Sequence, residues 1–297
     1  MTNESNDRIK QIAEKQAALE SQVLKSEGSL FELLLSYWSA LRENPALIRK
    51  VFKKFQQNDL ATLLNSFRLD IKTVVALNED YFAKTGVVEN MKKITATVSG
   101  RIDERMGVEA TGEIIQGGYM DTLVQDQTAK RQIQQFFYRT AQNKNETRLK
   151  VEMKELIKGA KEEGGIVSRF FKNYVYDTYQ EADRLAQNDF AEEIGLPAAI
   201  YTGGVIEGSR PFCIERNRKV FLRSEIALFG TPADKFGGYS LKEAGKFAGK
   251  PKDGYDPFTQ CGGIACRHHW SWIAKEYAVR LDKTLVIIEG KLVRKEE

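Results

Sequence analysis

The spacing of apolar residues changes once along the chain. From residue 5 to about 195, apolar positions recur every three or four residues, which predicts helices almost throughout. The clearest of these helices are predicted over residues 59–86, 121–142 and 170–195, and the glycines of residues 99–120 predict turns. The first 28 residues are mostly polar, which indicates a helix or arm that is solvated or that binds a partner.

Two local signals predict where helices begin. Ser29 and Glu32 have the spacing of a capping box, in which each side chain satisfies a backbone donor at a helix start. Asn44 followed by Pro45 is a second start signal, an N-cap residue before a proline at the first helical position.

Helical spacing fades after Leu196 and Pro197. Glycine becomes frequent, and short apolar runs at residues 198–205, 219–222 and 284–293 predict strands or extended segments. The sequence therefore predicts an α+β fold, with a predominantly α-helical N-terminal two-thirds. The smaller C-terminal region is strand-poor, and a bound metal could stabilise it.

The chain divides by pattern into three segments. We expect a polar arm over residues 1–28, a helical domain over residues 29–160, and a third domain over residues 161–297 whose irregular part begins near residue 200. A length of 297 residues, with 42% of them hydrophobic, suffices for one large core or two smaller ones.

The N-terminal sequence has no basic start followed by an apolar run, and the longest apolar patch is too short to span a bilayer. We therefore expect no secretory signal and no membrane anchor. The three cysteines are too few, and odd in number, for a disulfide framework, which favours synthesis in a reducing compartment.

Every cysteine and histidine of the chain lies in the C-terminal third. Cys261 and Cys266 have the spacing of a zinc knuckle, and the glycines between them permit a tight turn. In an extended segment His268 would face the same side as Cys266, whereas His269 would face the opposite side. The sequence predicts a zinc site formed by Cys213, Cys261, Cys266 and His268.

A second interpretation of the same residues needs no metal. Cys213 and Cys266 are then buried thiols or form a disulfide, and His268 and His269 are hydrogen-bonded groups at the surface. Neither interpretation favours catalysis, because a thiol two residues from its base in an extended segment is poorly placed to attack a substrate. The sequence also contains no glycine-rich phosphate loop after a strand and no HExxH motif.

Three short elements follow one another between residues 165 and 272. The first contains Ser-Arg-x-x-Cys, the second Lys-x-Phe and the third Cys-Arg-His. In this order they resemble the C-terminal signature of the Mu gpF-like minor head (head morphogenesis) proteins of tailed phages. The matching residues are Ser209, Arg210, Pro211, Phe212 and Cys213; Asn217, Lys219, Val220 and Phe221; and Gly262, Gly263, Cys266, Arg267 and His268.

Two departures separate the chain from the family pattern. Arg218 stands where the family usually has a glycine before the lysine. The usual Pro-x-His-Pro sequence before the last cysteine is replaced by "DPFTQCGGIA" (residues 256–265), which removes a histidine and leaves Cys261 as its substitute.

The resemblance implies a non-enzymatic component of the phage head. Residues 161–297 would form a domain like that of the head morphogenesis proteins. The protein would be present in few copies, would associate with the portal protein and the major capsid protein during assembly in the bacterial cytoplasm, and would be located in the virion head. Its mildly basic C-terminal third could also contact packaged DNA there.

Two other functions stay open at this stage. Residues 201–297 contain 17 Lys and Arg against 12 Asp and Glu, so the same region could bind nucleic acid through a C-terminal zinc knuckle. The arginines that would contact phosphates are Arg210, Arg216, Arg218 and Arg267. The other alternative is an enzyme, either a thiol hydrolase or a toxin-like transferase.

Overall fold

A computed structural model describes residues 3–85, 90–109, 111, 113–118, 120–121, 127–159, 164–231, 233, 255–263 and 266–295. The chain divides into two compact units, Met1–Thr73 with Ser99–Val175, and Val74–Val98 with Tyr176–Glu297. The helices are α1 (Asn3–Ser36), α2 (Trp38–Glu43), α3 (Ile48–Phe55), α4 (Ala61–Thr85), α5 (Met91–Met106), α6 (Gln127–Arg139), α7 (Glu146–Lys158), α8 (Ile166–Glu193), α9 (Pro211–Arg216), α10 (Arg223–Ile226), α11 (Pro257–Gln260) and α12 (Lys275–Leu281).

The predicted fold class is confirmed. Long helices make up most of the described residues as far as Glu193, and the described strands follow as β1 (Ala198–Thr202), β2 (Val220–Leu222), β3 (His269–Ile273), β4 (Leu285–Ile288) and β5 (Lys291–Arg294). None of the described helices is long and apolar enough to cross a membrane.

The predicted helix start at Ser29 is wrong, because α1 runs without a break through this position. Leu19, Val23, Leu30 and Leu34 recur at helical spacing and are all buried, so one apolar stripe holds the helix together across the polar segment. The expected boundary at residue 28 therefore lies inside α1, and the boundary at residue 160 falls outside the described residues.

The helix start at Asn44 is confirmed. The Asn44 side chain accepts a hydrogen bond of 3.1 Å from the backbone N–H of Ala46, and a 3₁₀ turn over Pro45–Leu47 leads into α3. The turn predicted at Gly100 is wrong, since α5 continues through that glycine. The helix ends at Met106, and Gly107 follows with a φ of 67°.

In the first unit, α1 packs against α3 and α7. A buried carboxylate of α1 also stabilises the start of α8. Glu27 Oε1 accepts hydrogen bonds from the backbone N–H groups of Val167 (3.0 Å) and Ser168 (2.6 Å). These donors have no partner within the helix, so a residue 140 positions away in sequence caps α8.

The second unit contains two small antiparallel sheets. One has the strand order β2-β1-β3, with Tyr201 opposite Trp270 and Ile200 opposite Val220. The other is the β4–β5 hairpin, whose turn residues Glu289 and Gly290 both have positive φ, as a tight hairpin requires. Strands β1, β2, β4 and β5 were predicted by the apolar runs, whereas β3 was not.

Aromatic side chains from both edges of the three-stranded sheet meet in one core. Tyr201, Phe221, Phe229 and Trp270 are each at most 2% exposed, and the Trp270 indole N–H donates to the carbonyl oxygen of Pro257 at 3.0 Å. All three cysteines belong to this core. The C-terminal third therefore has an apolar core of its own, with the sulfur atoms inside it.

Candidate metal centre

Two segments of the second unit bring thiols and an imidazole together. Pro211 occupies the first turn of α9, where its fixed φ suits a helix start, and Cys213 follows on the buried side of this helix. Cys266 and His268 lie just before β3, two residues apart in an extended segment, so both point to the same side as predicted.

The ligand atoms of Cys213, Cys266 and His268 all lie within 4.8 Å of one another. The two sulfurs are 3.7 Å apart, Cys266 Sγ is 3.9 Å from Nδ1 of His268, and the ligand atoms of Cys213 and His268 lie within 4.8 Å of each other. All three residues are buried, with exposed fractions of 2–3%. In the described part of the chain this is the one Cys/His/Asp/Glu group with metal-site spacing, and it could hold a metal ion.

Two of the three distances in the cluster are close to those between neighbouring ligands of a tetrahedral zinc ion. With Zn–S near 2.3 Å and Zn–N near 2.05 Å, two sulfurs of one tetrahedron are separated by about 3.8 Å and a sulfur and nitrogen by about 3.6 Å. The observed 3.7 Å and 3.9 Å are close to these values. Nε2 of His268 is also buried and has no hydrogen-bond partner among the described residues, so the imidazole is not fully satisfied by protein groups.

Tyr201 of β1 covers one side of the cluster. Its hydroxyl lies 3.4 Å from Cys213 Sγ and 3.7 Å from Cys266 Sγ, and its ring stacks on the His268 ring with centroids 4.8 Å apart. Burial, together with the negative charge that Cys266 carries, raises the pKa of Tyr201 well above its usual value. The hydroxyl therefore stays protonated and is able to donate a hydrogen bond to a sulfur.

Two glycines allow the backbone to approach the cluster closely. A Cβ at Gly262 would lie 2.4 Å from Cys213 Sγ and 3.2 Å from Cys266 Sγ, and a Cβ at Gly203 would lie 2.7 Å from the His268 ring. The Gly262 backbone N–H also donates to Cys266 Sγ at 3.3 Å. Any larger residue at either position would push the ligand groups apart.

Arg184 of α8 is a site residue that the sequence did not indicate. It is 3% exposed, and its guanidinium donates hydrogen bonds to the carbonyl oxygens of Thr259 (3.0 Å), Cys266 (2.6 Å) and His268 (2.9 Å). A single charged side chain thus fixes the backbone of the ligand segment. Arg184 lies in a helix with ordinary amphipathic spacing, so only its three-dimensional contacts reveal the role.

The two sulfurs of the cluster have opposite protonation tendencies. The hydrogen bond donated by Cys213 lowers the pKa of Cys266 well below its usual value, against the effect of burial, and His268 and Arg184 add to the lowering. The hydrogen bond to Cys266, followed by burial, raises the pKa of Cys213. The hydrogen bond between the two sulfurs therefore favours the proton on Cys213 and the negative charge on Cys266.

Cys261, the fourth predicted ligand, is not brought into the cluster. Its backbone has a φ of 48° and follows directly after α11, and its thiol is buried in the aromatic core outside the three-residue group. Burial raises the pKa of this thiol, which therefore stays neutral. The spacing between Cys261 and Cys266 fits a zinc knuckle, but the turn at Cys261 and Gly262 sends the first sulfur elsewhere.

The alternative interpretation is also corrected in part. Cys213 and Cys266 are buried free thiols, as it required, but His268 is buried rather than at the surface. His269, the first residue of β3, is half-buried and is not part of the three-residue group.

The arginines of the nucleic-acid hypothesis differ in their access to solvent. Arg216 is fully buried, with its guanidinium 3.9 Å from the Phe212 ring centre and 4.4 Å from that of Phe229, so it does not reach a phosphate. Arg218 and Arg267 are exposed, and Arg210 is half-buried.

The other residues of the sequence motif have structural contacts. The Ser209 hydroxyl oxygen accepts from the backbone N–H of Ile206 at 2.8 Å, and Arg210 is the N-cap residue of α9. The carbonyl oxygen of Lys219 accepts from the backbone N–H of Tyr201 at 3.0 Å, while its side chain is exposed. Phe221 lies in β2 and belongs to the aromatic core.

Comparison with known proteins gives no match. No family model, no curated protein and no solved structure is similar to this chain.

The arrangement could hold a metal ion inside the protein. The ligand atoms lie inside a packed aromatic core, and Tyr201, Gly203 and Gly262 close the space around them. A metal bound there would link α9 to the segment before β3, two parts of the chain that are 53 residues apart at the cysteines.

Proposed function

We propose that this protein is a structural assembly protein of a tailed-phage head, a minor head protein that associates with the portal and major capsid proteins during morphogenesis. Its C-terminal unit holds one zinc ion through Cys213, Cys266 and His268, and the ion has a structural role. The observation that carries the proposal is that the three sequence elements resembling the minor head signature all contribute to one buried core.

Each element supplies a different part of this core. The first provides Phe212 and Cys213, the second provides Phe221, and the third provides Cys266 and His268. Residues that form a short motif by chance have no reason to pack against one another across so many intervening positions. Their convergence favours an inherited structural unit.

The departure at Arg218 also has a physical explanation that supports the resemblance. Asn217 has φ −57° and ψ 130°, Arg218 has φ 64°, and the backbone N–H of Lys219 donates to the carbonyl oxygen of Arg216 at 3.1 Å. These are the features of a type II turn, whose third residue favours glycine. The family's glycine thus stands where the backbone of this chain adopts a glycine-like conformation.

Zinc is the metal that the donors favour. Two thiols and one imidazole are typical soft and borderline ligands, whereas calcium and magnesium require oxygen ligands. When bound, zinc would supply a crosslink and not a reaction centre, because the cluster is closed on the sides formed by Tyr201, Gly203 and Gly262. The protein residues orient the ligands, exclude water and keep the proton on Tyr201.

The assembly role is tested on particles of the phage that encodes the chain. We expect mass spectrometry of purified proheads to detect the protein in few copies, and crosslinking to join it to the portal or major capsid protein. A phage lacking the gene should make defective heads, and the wild-type gene should restore them. Heads that form and package normally without the protein, together with its absence from proheads, would overturn the proposal.

The zinc is tested separately on the full-length protein purified under reducing conditions. Native mass spectrometry should show one zinc per chain, and Cys213→Ser, Cys266→Ser and His268→Gln should each lose it. Cys261→Ser is the matched control and should keep the zinc, since its thiol lies outside the cluster. A wild-type protein that neither contains nor takes up zinc would refute the metal site without bearing on the assembly role.

A further inference from the structure

The sulfur atoms of Cys213 and Cys266 are in direct contact. Their separation of 3.7 Å is less than 2 Å longer than a disulfide bond, which is about 2.05 Å. Both residues are buried and belong to the same unit of the chain. Rotation of the two side chains could close the gap without a large backbone movement.

No side chain at position 262 separates the two sulfurs, because this residue is a glycine. Its backbone is near both of them, and a Cβ there would press directly on Cys213 Sγ. The Gly262 N–H donates to Cys266 Sγ, and Nδ1 of His268 lies 3.9 Å from the same sulfur. The hydroxyl of Tyr201 lies 3.4 Å from Cys213 Sγ. The two sulfurs are therefore close enough for one to attack an oxidant and for the other to resolve the product.

We propose that Cys213 and Cys266 are a redox pair that forms an intramolecular disulfide when the metal leaves. The reduced state rests on the zinc site of the proposed function, whereas the disulfide rests on the sulfur geometry alone. The two states are alternatives, because sulfurs joined to each other no longer provide two thiolates for a metal. In both states α9 stays tied to the segment before β3.

The oxidation requires a two-electron oxidant, for which hydrogen peroxide is the simplest. The thiolate of one cysteine of the pair attacks one peroxide oxygen, the O–O bond breaks, and a sulfenic acid and hydroxide form. The thiol of the other cysteine then attacks the oxidised sulfur, the new S–S bond forms, and the sulfenic oxygen leaves as water with the proton from the attacking thiol. The two sulfurs together lose two electrons, and one peroxide is reduced to water and hydroxide.

This pair would suit a protein that is made in a reducing cytoplasm and then leaves it inside a particle. Zinc and thiolates are compatible with the first environment, and a disulfide is compatible with the second. The crosslink between the two motif elements would persist through the change. The pair would therefore keep the C-terminal unit crosslinked after its metal is lost outside the cell.

The test follows the thiols of the full-length protein. After zinc is removed with a chelator, stoichiometric hydrogen peroxide should lower the intact mass by two hydrogens. A non-reducing digest should yield one disulfide-linked peptide pair, Cys213 with Cys266, and a dithiol reductant should reverse the change. In the zinc-bound protein, the same oxidation should release one zinc per disulfide formed, measured with a coloured chelator.

Cys261→Ser is the control and should form the same disulfide, whereas Cys213→Ser should stop at oxidised Cys266 without an internal crosslink. The mapping of the wild-type protein does not depend on whether a variant folds. A disulfide that involves Cys261, or free Cys213 and Cys266 after oxidation, would overturn the inference. A protein that binds zinc but forms no disulfide would refute only this inference, and a protein that forms the disulfide but binds no zinc would refute only the metal site.

Discussion

The guanidinium of Arg184 donates a 2.6 Å hydrogen bond to the carbonyl oxygen of Cys266, from a helix to a ligand segment 82 residues further along the chain. Two more of its hydrogen bonds reach Thr259 and His268. Burial alone would lower the pKa of Arg184, but electrostatic interaction with the neighbouring cysteine sulfurs raises it, so the group remains a cation beside Cys266. Arg184 thus holds the backbone of the ligand segment through its hydrogen bonds and places a positive charge beside Cys266.

Replacing Arg184 should destabilise the second unit. Lysine keeps the positive charge, but its ammonium group cannot reach three separate carbonyl oxygens as the planar guanidinium does. We therefore expect Arg184→Lys to reduce the free energy of unfolding by about 3 kcal/mol. Urea unfolding followed by tryptophan fluorescence would measure this, since Trp270 and Trp272 both lie in the second unit. The exposed neighbour Arg267 provides the control, and Arg267→Lys should change stability by less than about 0.5 kcal/mol. Equal effects of the two substitutions would contradict the role of Arg184.

Alanine substitutions at the adjacent residues Gly203 and Gly204 should have very different effects on stability and zinc binding. A Cβ at Gly203 would lie 2.9 Å from the backbone Cα of His268 and 2.7 Å from its ring, whereas a Cβ at Gly204 would meet nothing within 4 Å. We expect Gly203→Ala to cost about 1–3 kcal/mol and to weaken zinc binding, because the imidazole must move. Gly204→Ala should be close to neutral in both assays. If Gly203→Ala bound zinc as tightly as the wild type, the close packing of His268 would not matter to the site.

A glycine at Arg218 should be accepted without loss of stability. The left-handed conformation of Arg218 costs a non-glycine residue about 1–2 kcal/mol, and glycine removes this cost while increasing the entropy of the unfolded chain. We expect Arg218→Gly to leave the melting temperature unchanged or to raise it slightly. In contrast, Arg280→Gly in the exposed part of α12 should cost about 1 kcal/mol. If Arg218→Gly destabilised the protein as much as Arg280→Gly does, the type II turn at Arg218 would be contradicted.

The metal-free, reduced protein should contain one thiolate at neutral pH. Folding lowers the pKa of Cys266, so its ultraviolet thiolate absorbance should appear below the usual cysteine pKa of about 8.5. Between the folded-state and unfolded-state pKa values, Cys266 is protonated in the unfolded chain and ionised in the folded chain. The contribution to stability is therefore fully present above about pH 8.5 and is lost as pH falls through the folded-state pKa of Cys266.

The variants separate this thiolate from the other two cysteines. Cys266→Ser should abolish the absorbance at neutral pH, while Cys261→Ser should retain it, because burial keeps the Cys261 thiol protonated. A wild-type protein with no thiolate absorbance below about pH 8.5 would contradict the charge assignment.

Local sequence signals predicted much of the fold. Apolar residues at helical spacing placed the long helices, and Asn44 with Pro45 placed a helix start correctly. The signal at Ser29 and Glu32 failed because burial of Leu30 and Leu34 on one continuous stripe outweighs a local capping preference. Strand β3 was missed, although its alternating aromatic residues, Trp270 and Trp272, are typical of a strand.

From the sequence, only the residues that provide the ligand atoms of the candidate site were predictable, and not the residues that position them. The concentration of cysteine and histidine in one region indicated Cys213, Cys266 and His268, and the two-residue spacing placed the last two on one side. Spacing could not exclude Cys261, because the direction of its side chain depends on the positive φ of one turn residue. Nor could it find Arg184 or Tyr201, which reach the cluster from a helix and a strand distant in sequence.

X-ray absorption spectroscopy at the zinc edge of the reduced, full-length protein tests the metal site most directly. We expect two sulfur ligands near 2.3 Å, with nitrogen or oxygen ligands near 2.0–2.1 Å completing the shell, and an unchanged spectrum in Cys261→Ser. A shell with three sulfurs, or one without sulfur, would contradict the assignment of Cys213, Cys266 and His268 as the metal ligands.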